Sequence, residues 1–161
     1  MNDTLRLDKL APPPAPLWRR LAAAVYDGLI VVALLFMGTA LAMPFSHEAF
    51  SSDHPMIELV YRIYLLTIGF AFFGVFWVRD GQTLGMLTWR VQVVRSEDGG
   101  RIGWNQALLR YLGAILSWIP FGLGFWWAFY DKDKKTWHDR LSKTELRLAP
   151  SFREISNRPQ A

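Results

Sequence analysis

Asp27 is the first residue whose type and place point to chemistry. It stands seven residues into an apolar run from Leu21 to Met43, and an ionisable group there calls for a partner or a water-filled cavity. The chemistry open to it is proton or small-cation binding; a buried pair that locks helix packing is the alternative. Arg20, seven residues earlier, is the nearest candidate partner. Almost two helical turns separate them, so they share a face about 10 Å apart along the axis, and a snorkelling arginine covers part of that gap. A second acid, Asp139, sits among Lys134, Lys135, His138, Arg140 and Lys143, where a carboxylate is normally ionised and paired. Its expected partner is also Arg20. That contact would join the two ends of the domain as a clamp or a gate. His138, with an ordinary pKa of about 6.5, is a candidate proton relay or a local hydrogen-bond donor. Glu58 and Arg62 lie four apart and can pair on one helix face.

Other chemistries find no residues to carry them. His47, Glu48, Asp53 and His54 have no helix or strand to fix a ligand geometry, so no metal is expected there. With no cysteine in the chain, a disulfide scaffold, a thiol nucleophile and a Cys-ligated metal are excluded. Neither a nucleophile elbow, a phosphate loop, an HExxH pair nor paired catalytic carboxylates appear, so the expectation is a noncatalytic protein without a cofactor. The net charge of +4 comes from basic residues flanking apolar segments, which suits anionic lipid headgroups rather than nucleic acid.

The elements that must position these residues follow from how charge is distributed. The chain has 161 residues, of which 52% are hydrophobic, and its mean hydropathy is +0.12. Leu21 to Met43, Leu59 to Val78 and Tyr111 to Tyr130 together hold 63 residues and only two of the 32 formal charges, Asp27 and Arg62. A bilayer core of roughly 30 Å wants about 20 apolar residues per helix, so a soluble globular protein is excluded. Ala40-Leu41-Ala42 resembles a signal-peptidase site, but a cleaved signal has an apolar region of about 7 to 15 residues. A retained transmembrane helix is expected. Four prolines among residues 12–16 break any helix in the leader, which reads as a disordered tail over residues 1–17. Trp18, Trp77, Trp104, Trp126 and Trp127 fall near segment ends, where tryptophans anchor the bilayer interface.

Between Arg79 and Arg110 the pattern changes. Trp89, Val91 and Val93 alternate with Arg90 and Gln92 at period two, a strand signature. Ser96-Glu97-Asp98-Gly99-Gly100 supplies turn chemistry, so Thr88 to Arg95 and Gly100 to Trp104 are expected to pair as a hairpin. Lys143 to Leu148 also alternates and would add a third strand. Orientation comes from basic residues: four precede the first span, the loop after it has none, five lie between Arg79 and Arg110, and eight follow Tyr130. A straight third crossing would put those eight outside. Pro120, Gly122 and Gly124 offer a break that turns the third segment into a helical hairpin.

Three motifs then carry a resemblance. The run Arg19-Arg20-Leu21-Ala22-Ala23-Ala24-Val25-Tyr26-Asp27 resembles the opening of the RDD family of small membrane proteins, named for one arginine and two aspartates. Gly81-Gln82-Thr83-Leu84-Gly85 is similar to the family's loop after the second span. Lys135 to Thr144, with Asp139 after His138, resembles its terminal motif. One departure is Met86, where the family often has a lysine. The resemblance covers Trp18 to Leu148 and implies that Arg20, Asp27 and Asp139 are the three family residues. It also implies a membrane location and a transport role, with cation–proton antiport proposed for some members.

The expected architecture is therefore an all-α membrane protein: two transmembrane helices, a broken third hydrophobic segment, and a small cytoplasmic β-sheet. Residues 1–17 form a cytoplasmic tail, 18–148 an RDD-type membrane domain and 149–161 a flexible tail. The site expected is Arg20, Asp27 and Asp139, with His138, Arg62 and Glu58 secondary. Its setting is a bacterial inner membrane, multi-pass, with the N-terminus cytoplasmic. Expected partners are the lipid bilayer, a second copy or another membrane protein, and a small cation. Transport is one functional class; a noncatalytic accessory or scaffold protein is the other.

Overall fold

The computed structural model describes residues 12–45, 55–118 and 136–150. In chain order these form α1 (Leu17–Ala42), a single 3-10 turn (Met43–Phe45), α2 (Pro55–Arg79), the short α3 (Leu84–Thr88), β1 (Val91–Arg95), α4 (Trp104–Trp118), the short α5 (Trp137–Leu141) and β2 (Thr144–Leu148).

α1 and α2 run for 26 and 25 residues. At a rise of about 1.5 Å per residue each is about 37 to 39 Å long, more than a roughly 30 Å hydrocarbon core requires. Their outer faces are apolar and open: Leu29 is 67% exposed, Phe36 74% and Met56 72%. Soluble monomers rarely display such continuous apolar faces. Both helices are long and apolar enough to cross a membrane. They lock together far from the sheet, where Thr39 and Tyr61 share a hydroxyl contact at 2.7 Å and Tyr64 donates to the Gly38 carbonyl. α4 packs against α2 through Phe70, Phe73, Trp104 and Tyr111, and the Tyr111 hydroxyl donates to the Leu66 carbonyl at 3.0 Å.

The sheet has two strands, with β1 antiparallel to β2 and Val91 opposite Leu148 through Arg95 opposite Thr144. Val91 and Val93 point into the core with Leu146, Ile102, Ala107 and Trp77, as their alternation requires. The expected pairing of β1 with Gly100 to Trp104 does not form. Gly99 takes a positive φ of +68° and the Arg95 amide donates to the Gly100 carbonyl, so the turn closes as read. Trp104 then opens α4, while Gly103 donates to the Gln106 side chain in the first turn. The helical pattern of residues 104–118 thus overrides two residues of strand propensity, and β2 alone takes the ladder.

The leader also departs from expectation. Pro14 bridges to Arg147, Ala15 donates to the Leu146 carbonyl, and Leu148 donates to the Pro13 carbonyl. Proline cannot donate to a ladder but tolerates an edge. Residues 13–15 are therefore held along the free edge of β2, rather than being part of a disordered tail. At the other end Ala149 still donates to the Arg90 carbonyl. The proposed break at Pro120, the loop acids of residues 46–54 and the two terminal stretches lie outside the described residues.

Candidate functional site

Two buried carboxylates are held in different ways. Asp27, on α1, is 2% exposed. Its Oδ2 accepts from the Thr83 hydroxyl at 2.5 Å, and its Oδ1 from the Gly85 amide at 2.9 Å. Thr83 is at the same time the N-cap of α3, accepting from the Met86 amide. The loop that delivers these donors is built residue by residue. Gly81 has a positive φ of +70° and its carbonyl accepts from Val93, while the Gln82 side chain donates to the Val91 carbonyl. Gly85 permits the closest approach. A Cβ there would lie 2.4 Å from the Ala23 carbonyl oxygen and 2.9 Å from Asp27 Oδ1, so any larger residue would push α3 off α1. Among the described residues Asp27 has no cationic partner, and the expected pairing with Arg20 does not form. Arg20 turns away, its Nε donating to the Ala15 carbonyl and its Nη2 to the Leu146 carbonyl.

Asp139 is 1% exposed. Thr136 and Asp139 form a capping box at the start of α5: the Thr136 hydroxyl accepts from the Asp139 amide, and the carboxylate accepts from the Thr136 amide. Arg110 Nη1 donates to Asp139 Oδ1 at 2.5 Å and to the Thr144 hydroxyl at 2.6 Å. Arg20 Nη1 stands 3.7 Å from the other carboxylate oxygen. The Arg110 guanidinium lies over the Trp77 ring at 5.3 Å, a contact strengthened by desolvation. Ser142 and Thr144 share a hydroxyl contact, and Ser142 donates to the His138 carbonyl. Gly113 lets α4 meet α5, since a Cβ there would be 3.1 Å from His138 Cβ.

Charge states follow from this packing. Burial, and then the Arg110 charge, hold His138 down at about 4 against the pull of Asp139. Burial alone would raise Asp139, but Arg110, His138 and the Thr136 hydrogen bonds bring its carboxyl down to about 2. Near neutral pH, Asp139 is fixed as an anion and His138 is neutral, its Nε2 3.0 Å from the Thr136 hydroxyl. Neither exchanges a proton readily at that pH.

The structure therefore brings Arg20, His138 and Asp139 together and places Asp27 in a separate setting of neutral donors. Glu58 and Arg62 pair on α2 with both side chains exposed, outside either buried cluster. Three residues escaped the sequence reading. Arg110 is one of five basic residues between Arg79 and the third apolar run, and its partner is 29 residues away. Thr83 lay inside the quoted loop motif, and Thr144 at the start of an expected strand. Among the described residues no group of three His, Cys, Asp or Glu is placed to hold a metal.

Long apolar helices of spanning length, capped at one end by a small sheet and two buried carboxylates, define a small membrane-type helical protein. The RDD family model matches residues 14–143, and the chain belongs to the RDD family. Arg20, Asp27, Arg110 and Asp139 all fall within the match. An uncharacterized protein of Bacillus subtilis (strain 168), YxaI, is similar to this chain, with 29% identity over 150 residues covering 83% of this chain and 96% of that protein. No solved structure matches.

Proposed function

We propose that the chain is an integral protein of a bacterial inner membrane, with its N-terminus cytoplasmic, that exchanges a small cation for protons as an oligomer, with Asp27 as the titrating group. The observation that carries this reading is the setting of Asp27. A carboxylate inside a helix of spanning length, held by a hydroxyl and an amide rather than by a guanidinium, has among the described residues no fixed countercharge to displace when a proton or cation binds. Asp139, with two arginines against it, serves as the clamp. Orientation is supported by the basic residues, none of which falls between Pro44 and Ile57, as the positive-inside pattern predicts for an outer loop. Two to four membrane segments are too few to enclose a path, so transport calls for a second copy or another membrane protein.

The sealed clamp favours a second reading, a noncatalytic accessory or scaffold protein whose charged residues only hold the fold. Purified wild type and Asp27→Asn in proteoliposomes distinguish the two, with internal pH followed after a sodium or potassium gradient is imposed and melting temperature recorded on the same samples. Transport predicts a folded variant without flux. The accessory reading predicts no flux above empty vesicles in either protein. A folded Asp27→Asn variant with undiminished flux would overturn the role of Asp27.

A further inference from the structure

Arg19 and Arg20 are neighbours with opposite fates. Arg20 is spent on protein carbonyls and Asp139, whereas the Arg19 guanidinium lies over the Trp18 ring at 5.2 Å. Among the described residues its Nε is buried without an acceptor, and no carboxylate partners it. Trp18 in turn meets Trp89 edge-on at 5.5 Å, and Trp89 meets Tyr26. The Trp89 indole nitrogen is a second buried donor without an acceptor among the described residues. Two such donors around one aromatic ring are unusual, because buried N–H groups nearly always find a partner.

We infer that this corner binds the phosphodiester of an anionic phospholipid. It rests on the reading of α1 as a membrane span. The apolar exposed face of α1 begins at Leu21 and continues through Val25 and Leu29, and Leu84 and Leu87 of α3 are exposed as well. The acyl chains of a lipid held at Arg19 would lie along that face. A phosphate supplies several charged acceptor oxygens, and a guanidinium matches them in a planar fork. Net charge selects among lipids. The Trp18 face that would otherwise receive a choline ammonium is already covered by Arg19, so a zwitterionic choline lipid loses its cation–π contact and meets a like charge.

The test uses the full chain, delipidated in detergent, with bound lipid read by native mass spectrometry. Wild type should retain phosphatidylglycerol about fivefold better than phosphatidylcholine, as one arginine at a membrane surface provides. Arg19→Gln should abolish that preference and Arg19→Lys keep it. Trp89→Phe, which keeps a ring but loses the N–H, should weaken retention by less. Arg101→Gln, which changes an exposed arginine elsewhere, should leave it unchanged. A full preference in Arg19→Gln overturns the inference. Displacement of the lipid by an equal concentration of inorganic phosphate overturns the lipid as its source. Release of the protein from membranes by alkaline carbonate would instead overturn the spanning reading, whereas an embedded protein that holds both lipids equally overturns this inference alone.

Discussion

Asp27 and Asp139 are almost equally hidden from solvent, yet their surroundings could hardly differ more. One carboxylate takes a hydroxyl from the N-cap of a five-residue helix and an amide from its first turn; the other takes Arg110, Arg20 and the cap of α5. Burial by itself therefore says little about a carboxylate's task. Fixed positive charge makes Asp139 a permanent anion, suited to holding elements together. Neutral donors leave Asp27 without that constraint, and they come from a loop whose fit depends on one glycine.

The largest effect is expected at Arg110. Arg110→Met fills similar space but leaves Asp139, among the described residues, with the longer Arg20 contact as its remaining guanidinium, and losing one partner of a buried pair costs about 3 to 5 kcal/mol. Melting in detergent should fall accordingly, and Arg110→Met with Asp139→Asn should recover part of the loss because the stranded charge is gone. Nearly as large is the effect of acid on His138. Its folded value of about 4 lies below the roughly 6.5 of an unfolded histidine, so its contribution is complete above about pH 6.5 and is lost as pH falls toward 4. That amounts to about 3 kcal/mol, to be seen as a sloping melting temperature. Asp139, depressed to about 2, adds a further loss only below its ordinary value of about 3.8. His138→Gln should flatten the first slope and leave the second.

At the other carboxylate, Gly85→Ala should destabilise by about 1 to 3 kcal/mol through overpacking, because the neighbour it meets is the Ala23 backbone. Any flux should fall with it, and unchanged melting would show that α3 does not press on α1. The smallest effect belongs to the exposed Glu58 and Arg62 pair, where Arg62→Gln should shift stability by less than about 1 kcal/mol. A larger drop that disappears on dilution would point to that face as a contact between copies.

Much of the scaffold was legible because it rests on one-dimensional signals. Apolar runs of spanning length marked α1 and α2, and the alternation of Val91 and Val93 marked β1. Asp27 stood out as the lone charge in its run. What escaped depends on long-range contact. Arg20 and Asp27 share a helix face, so spacing favoured pairing them, but α3 brought hydrogen-bond donors to Asp27 from 56 and 58 residues away. Arg110 carries no signal beyond its place in the count of basic residues, because nothing local shows that Asp139 and Thr144 converge on it. Of the two strand partners expected for β1, Lys143 to Leu148 pairs with it as β2, whereas Gly100 to Trp104 does not: the Gly99 turn is real, but the helical pattern after Gly103 withdraws the chain from the ladder.

The strap of residues 13–15 along β2 also dictates an order of events. Arg20 leaves the ribosome about 120 residues before its partners Asp139 and Leu146, which at about 5 to 20 residues per second is a delay of roughly 6 to 25 seconds. Throughout that interval the first helix is already long enough to enter a bilayer, while the edge that will receive Pro13 and Ala15 has not been made. The domain therefore closes from its last strand backwards, and a chain truncated before Thr144 would leave the opening segment of the protein with nothing to fasten to.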